Sequence, residues 1–211
     1  MFDLTPDDLQ LQILDCAGGP ASFNVEMTRL GYKVVSCDPV YQFTAAEIAQ
    51  RIQDTYKVVI DGTQANRESY VWQDIQSPAQ LGQIRIRAMQ QFLEDFPLGI
   101  REGRYVTDEL PVLSFKTGQF DLALCSHFLF TYSEQLSEQF HLDSILQMGR
   151  VAREVHIFPL LDISGEPSTL LKPVMNKLQE QGYTVEIKQV PYEFQKGGNK
   201  LLRIGSKLIN P

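Results

Sequence analysis

Two carboxylates, each closing a short apolar run, are the residues of this chain best placed to do chemistry. Leu11-Gln12-Ile13-Leu14 leads into Asp15, and the small residues Cys16-Ala17-Gly18-Gly19-Pro20-Ala21 follow at once. Val34-Val35-Ser36-Cys37 ends in Asp38, with Pro39 next. A strand, a small-residue turn and a helix, with an acid ending the next strand about twenty residues on, is the βαβ spacing that reads a ribose. Small side chains at such a turn let the backbone approach a ligand at a helix N-terminus. The pattern therefore predicts a nucleotide-type cofactor site lined by Asp15, Ala17, Gly18, Gly19, Asp38 and Pro39. Each acid also has a plainer role: Asp38 as the cap of the following turn, Asp15 as a turn carboxylate accepting backbone N–H bonds.

The elements that must position these groups alternate along the chain, which favours an α/β layered fold around a mostly parallel sheet. Strands are expected at 12–16 and 33–38, separated by a helix over 22–30 that Gly31 ends. A helix over 44–56 follows. Residues 57–98 combine Gln, Arg and aromatic residues on helical spacing and read as a helical insertion over the cofactor edge of the sheet. Further strands are expected at 101–106, 120–125 and 154–158, with helices over 136–149 and from Pro167 to Gln181. Tyr183–Gln189 and Lys200–Ser206 should close the fold as an antiparallel hairpin around Gly197-Gly198-Asn199. With no repeat or linker, residues 1–211 read as a single domain.

Bulk properties narrow the classes. At 211 residues, 43% hydrophobic and 21% charged, the chain has the composition of an ordinary soluble globular protein. Its net charge of -7 supplies no bulk field for polyanions, which disfavours a nucleic-acid partner. No apolar run is long enough to span a bilayer, and the acidic N-terminus lacks the form of a signal peptide. The 3 cysteines, Cys16, Cys37 and Cys125, form no metal-binding or CxxC pattern and suit a reduced cytoplasm as packing residues near strand ends.

The turn does not fit the G-x-G-x-x-G of nicotinamide enzymes, and Asp15 would repel a pyrophosphate while suiting a cofactor with an ammonium and a sulfonium. The run from Asp15 to Ala21 resembles the first motif of class I S-adenosylmethionine-dependent methyltransferases, acid-x-G-x-G-x-G, with Gly19 at its middle glycine and Ala17 and Ala21 at the outer two. The stretch Asp108-Glu109-Leu110-Pro111-Val112-Leu113-Ser114-Phe115 to Phe120-Asp121-Leu122-Ala123 is similar to the family's D-x-x-x-LPF…FDLV run. The resemblance implies a three-layer Rossmann-like sandwich with a mostly parallel seven-stranded sheet and an antiparallel C-terminal strand. It further implies S-adenosyl-L-methionine as cofactor, Asp108 or its rival Glu109 near the adenine, and Ser126 and His127 edging cofactor and acceptor.

Methyl transfer from a sulfonium needs alignment and exclusion of water more than it needs a base. His127 is the candidate base, with a packing role as its alternative. Tyr41 and Tyr132 are candidates to orient an acceptor or to wall the site. Within the insertion, Arg67, Tyr70, Trp72, Arg85, Arg87 and Phe92 mix cations with aromatics that can hold a carboxylate, a phosphate or a planar ring, or form an amphipathic lid. Pro159 and Asp162 are expected to border the acceptor pocket, and Pro191–Asn199 is either a lid or an ornate turn. The Asn/Asp-Pro-Pro-Tyr and Pro-Cys motifs of nucleic-acid methyltransferases are absent. The expectation is a cytoplasmic enzyme, monomer or homodimer, acting on a small-molecule acceptor. A non-catalytic cofactor-binding protein and a methyltransferase for RNA or protein are the alternatives.

Overall fold

The computed structural model describes residues 1–207; the last residues of the expected domain, 208–211, lie outside them. The elements in chain order are β1 (Gln12–Cys16), α1 (Phe23–Arg29), β2 (Lys33–Cys37), α2 (Ala45–Ala65), α3 (Pro78–Arg101), β3 (Tyr105–Val106), β4 (Phe120–Ser126), α4 (Glu138–Val151), β5 (Ala152–Phe158), α5 (Leu171–Glu180), β6 (Tyr183–Gln189) and β7 (Lys200–Lys207). They build one seven-stranded sheet in the order β3-β2-β1-β4-β5-β7-β6. β7 runs antiparallel to both of its neighbours, and the other pairings are parallel. The strand order reverses between β1 and β4, so the crevice at their carboxyl ends is where an open α/β sheet takes its ligand.

The central strands are apolar on both sides because helices cover both faces. Along β1, Ile13 packs with Phe23 and Met27 of α1, whereas Leu14 and Cys16 join the larger core with Ile145 and Met148 of α4 and Val174 and Leu178 of α5. Cys16 pairs in register with Cys37 on one side and Cys125 on the other, all three buried as free thiols. Burial, then the nearby Asp15 carboxylate and Cys37 thiol, push the Cys125 thiol up to about 12. These cysteines are packing residues in a row across three strands.

Three expectations need correction. The helix expected over 44–56 runs on to Ala65. Thr44 and Glu47 cap its start reciprocally, and the extension packs on α3. The helical insertion of 57–98 is therefore the end of α2, a short 3-10 turn at Arg67–Ser69, and α3. The strand expected at 101–106 shrinks to Tyr105–Val106 because α3 continues through Pro97 to Arg101. Phe92 and Phe96 hold that last stretch against Tyr105, and Gly99 leaves room for the Tyr105 ring, which a Cβ would meet at 2.4 Å.

A polar chain ties this peripheral helix to the sheet. Arg104 donates to both carboxylate oxygens of Asp95 on α3, at 2.7 and 2.9 Å, and to Asn24 Oδ1 on α1 at 2.9 Å. Asn24 Nδ2 in turn donates to Ser36 Oγ on β2 at 3.1 Å. The Arg104–Asp95 side chains are each 12% exposed, so losing one partner strands a poorly solvated charge. Arg104→Met is expected to destabilise the fold by ~2–4 kcal/mol, with part of the loss recovered when Asp95→Asn is added, as read by denaturant unfolding.

Candidate functional site at the carboxyl edge of the sheet

The turn after β1 is built around Asp15. Its carboxylate accepts a 2.9 Å bond from Ser36 Oγ, its register partner on β2, and so ends the chain that begins at Asp95. Burial pushes the Asp15 carboxyl up to about 7; the Ser36 bond works against that shift and the nearby charge of Asp38 adds to it. Gly18 packs directly against this group: a Cβ there would lie 2.5 Å from Asp15 Oδ2 and 2.9 Å from Tyr41 Oη. Gly19 has φ +55° and its Cβ position faces open space. Ala17 also has φ +55°, a left-handed conformation that a Cβ makes costly. The alanine at this first motif position thus holds a glycine-like backbone.

Asp38 lies at the end of β2 and fastens two segments. Its Oδ2 accepts from Gly19 N–H at 3.0 Å and its Oδ1 from Val40 N–H at 2.8 Å, capping the short turn Pro39–Gln42. The Asp38 carboxyl is raised by burial, against the pull of these two N–H bonds. Tyr41 is buried, donates to the Gly19 carbonyl at 2.8 Å, and stacks on Phe92. It therefore supports the turn from below and has no face toward the neighbouring cleft. Asp108 and Glu109 lie in the loop after β3. Asp108 Oδ2 accepts from both the N–H and the hydroxyl of Ser114, at 2.8 and 2.7 Å, and Glu109 is exposed near Asp38. The same loop is clamped from the other side by Arg150, which donates to the carbonyls of Leu113 and Phe115.

Beside the turn, at the ends of β4 and β5, opens a cleft of about 180 Å³. Its floor includes His127, Thr131, Phe158 and Pro159, with Asp162 and Ile163 at one rim. Tyr70 and Arg85 enter from the segment between β2 and β3, and Tyr192, Phe194, Gln195 and Gly198 from the β6–β7 loop. The last two segments are joined across the top. Val71 N–H donates to the Phe194 carbonyl at 2.7 Å, Lys196 N–H to the Ser69 carbonyl at 2.9 Å, and the Tyr70 and Phe194 rings stack at 5.0 Å.

His127 has φ +55° and shares a 2.7 Å hydrogen bond with Ser126 Oγ through Nδ1. Solvent reaches its ring from the cleft while protein crowds its other sides. Burial, then the charges of Arg85 and the Met1 amino group, push its imidazole down to about 4, so it is neutral near pH 7. Tyr132 is 39% exposed and stands outside the lining of this cleft, near Phe128. The expected bordering residues Pro159 and Asp162 do line the cleft, and Pro191–Asn199 supplies a wall while Glu193 ties its turn internally to Gly197 and Asn199. Sequence reasoning missed Asn24 and Ser36 as supports of Asp15 and Thr131 in the floor. The β1–β2 register sets Ser36 opposite Asp15, a pairing that no local signal in the sequence marks. Among the described residues no cluster of His, Cys, Asp and Glu could hold a metal, and no helix is long and apolar enough to cross a membrane.

No family model matches this sequence. A TehB-like S-adenosylmethionine-dependent methyltransferase from Corynebacterium glutamicum is similar in structure, with a TM-score of 0.50 and 14% identity over 94% of this chain and 81% of that one. A methyltransferase structure from Methanosarcina mazei covers 98% of this chain and 99% of its own, at 14% identity and a TM-score of 0.49. The fold is that of the class I S-adenosylmethionine-dependent methyltransferases. Within it, the chain belongs to the family of an uncharacterized protein of Methanocaldococcus jannaschii, MJ0045, with which it shares 32% identity over 207 residues, 97% of this chain and 90% of that relative.

The raised Asp15 carboxyl has a consequence for stability. The folded state holds this proton more tightly than the unfolded chain does, so its contribution is full at low pH and is lost as pH rises through about 7. Asp15→Asn removes that loss. Denaturant unfolding at pH 5.5 and pH 8 should show the variant gaining on the native protein as pH rises, by about 2 kcal/mol between the two.

Proposed function

We propose that the protein is an S-adenosylmethionine-dependent methyltransferase acting on a small-molecule acceptor. The observation that carries this reading is the pair of carboxylates, Asp15 and Asp38, at adjacent strand ends around a turn where Gly18 admits no side chain. The residues present fit the cofactor. Asp15 is a buried acid that accepts from the neutral Ser36 hydroxyl, and burial of that kind leaves its charged form in need of a cation such as an ammonium. Asp38 keeps a second lone pair on each oxygen for ribose hydroxyls beyond the N–H groups of Gly19 and Val40. Pro39, Asp108 or Glu109, and Ser126 complete the proposed cofactor surface.

When bound, S-adenosylmethionine supplies a methyl group already activated on its sulfonium. What remains for the chain is to align an acceptor with that methyl and keep water out, and orientation of this kind is worth ~7–11 kcal/mol. The cleft beside the turn is a small recess whose lining includes the rings of Tyr70, Phe158, Tyr192 and Phe194, which supports a small acceptor over a macromolecule. His127, neutral at pH 7, serves there as a hydrogen-bonding group that positions the acceptor; an imidazole pushed to about 4 is a weak proton acceptor.

Titration calorimetry with S-adenosylhomocysteine tests the reading. Binding is expected, and Asp38→Ala, checked for an intact melting transition, should weaken it by about 1.5–3 kcal/mol. No heat at millimolar ligand would sink the proposal. The affinity should also rise as pH increases from 6 to 8, because Asp15 gains its negative charge across that range. Asp15→Asn should flatten this pH dependence.

A further inference from the structure

The cleft at the ends of β4 and β5 contains a cation that makes no ion pair among the described residues. Arg85 reaches it from α3 and has no ion-pair partner among the described residues. The carboxylate in the lining, Asp162, is committed to its own loop: Oδ1 accepts from Ser164 N–H at 2.9 Å, from Ser164 Oγ at 2.6 Å and from Glu166 N–H at 3.1 Å. Those bonds hold it ionised, well below the usual carboxylate range, and orient it toward its own loop, and no ion pair joins it to Arg85 among the described residues. The recess thus holds a cation and a carboxylate that form no ion pair with each other, and Arg85 is open to an anionic group from outside.

Arg85 acts toward the inside of the recess. Its charge helps keep His127 neutral and opposes the upward push of burial on the Tyr192 hydroxyl. Around it stand the aromatic rings of Tyr70, Phe158, Tyr192 and Phe194. Tyr70 stacks with Phe194 at 5.0 Å, and Phe158 meets Tyr192 edge-on at 5.9 Å. A guanidinium presents a planar fork of donors matched to carboxylate and phosphate oxygens, and aromatic walls favour a planar body beside it.

We infer that this cleft takes a small planar molecule bearing one anionic group, carboxylate or phosphate, which Arg85 grips while the aromatic walls hold the ring. Calling this ligand the methyl acceptor rests on the methyltransferase reading; the anion site itself does not. The cation arrives from the β2–β3 segment and the rings from that segment and the β6–β7 loop, so the bonds joining Ser69 and Val71 to Phe194 and Lys196 hold the recognition surface together.

Benzoate and phenyl phosphate are suitable probes, with benzamide as the uncharged counterpart, and NMR of the His127 ring proton as the readout. At least one anion should bind saturably, about tenfold or more tighter than benzamide. Its binding should raise the His127 pKa, because it offsets the Arg85 charge. Arg85→Gln should raise that pKa without ligand and remove the preference for the anions over benzamide, whereas Arg85→Lys should retain part of it. Preference for benzoate identifies the group as carboxylate, and preference for phenyl phosphate as phosphate. Equal binding of all three by the native protein, or anion binding untouched by Arg85→Gln, overturns the inference. Calorimetry with S-adenosylhomocysteine on the same samples separates the two readings. Anion preference without cofactor binding keeps the anion site and sinks the methyltransferase, and the reverse result sinks only the anion site.

Discussion

A buried acid that burial alone would neutralise is the constraint around which this protein is arranged. Asp15 stands at the end of β1 with its carboxyl raised to about 7, and a relay of side chains reaches it from the edge of the molecule. Asp95 on α3 binds Arg104, Arg104 binds Asn24 on α1, Asn24 binds Ser36 on β2, and Ser36 binds Asp15. Every link is a hydrogen bond between different segments of the chain, in surroundings where an unmade bond is expensive. The relay fixes the angle of α3 and the orientation of Asp15 with the same atoms. It also explains why Gly18 is restricted: the space a Cβ would take is filled by the Asp15 carboxylate and the Tyr41 hydroxyl.

The neighbouring cleft depends on a different kind of closure. Its cationic group and its aromatic walls belong to the β2–β3 segment and to the β6–β7 loop, which meet through two backbone hydrogen bonds and a cluster of Tyr70, Trp72 and Phe194. The rigid sheet supplies the floor, and the variable connections supply the recognition surface, the usual division of labour in α/β folds. Because the floor at His127 and Phe158 is shared with the carboxyl edge that carries Asp15 and Asp38, the two regions form one continuous working face.

Much of the scaffold was legible from local signals. β1, β2 and β4 are continuous apolar runs bounded by glycine, proline or acids, and the β6–β7 hairpin follows its glycine-rich turn. The errors fall where tertiary contacts overrode local signals. The second half of α2 is largely exposed and offers little apolar periodicity, so its length depends on packing against α3. Pro97 reads as a helix stop, yet burial of Phe92, Phe96 and Gly99 against Tyr105 carries the helix a further turn and shortens β3 to two residues.

The sequence by itself determined the class of fold and the two acids with their small-residue turn, because strand periodicity and turn chemistry are local properties of the chain. It also contained Arg85 and the aromatic residues of the cleft, but as members of a mixed set with no assigned direction. Only the tertiary structure decided that Tyr41 and Asp38 brace the turn, that Asp108 is tied to Ser114, and that Arg85 lines a recess without an ion-pair partner among the described residues. The physical reason is that hydrogen-bond partners, burial and unbalanced charge are relations between segments as far apart as Tyr70 and Gln195, which spacing along the chain does not encode.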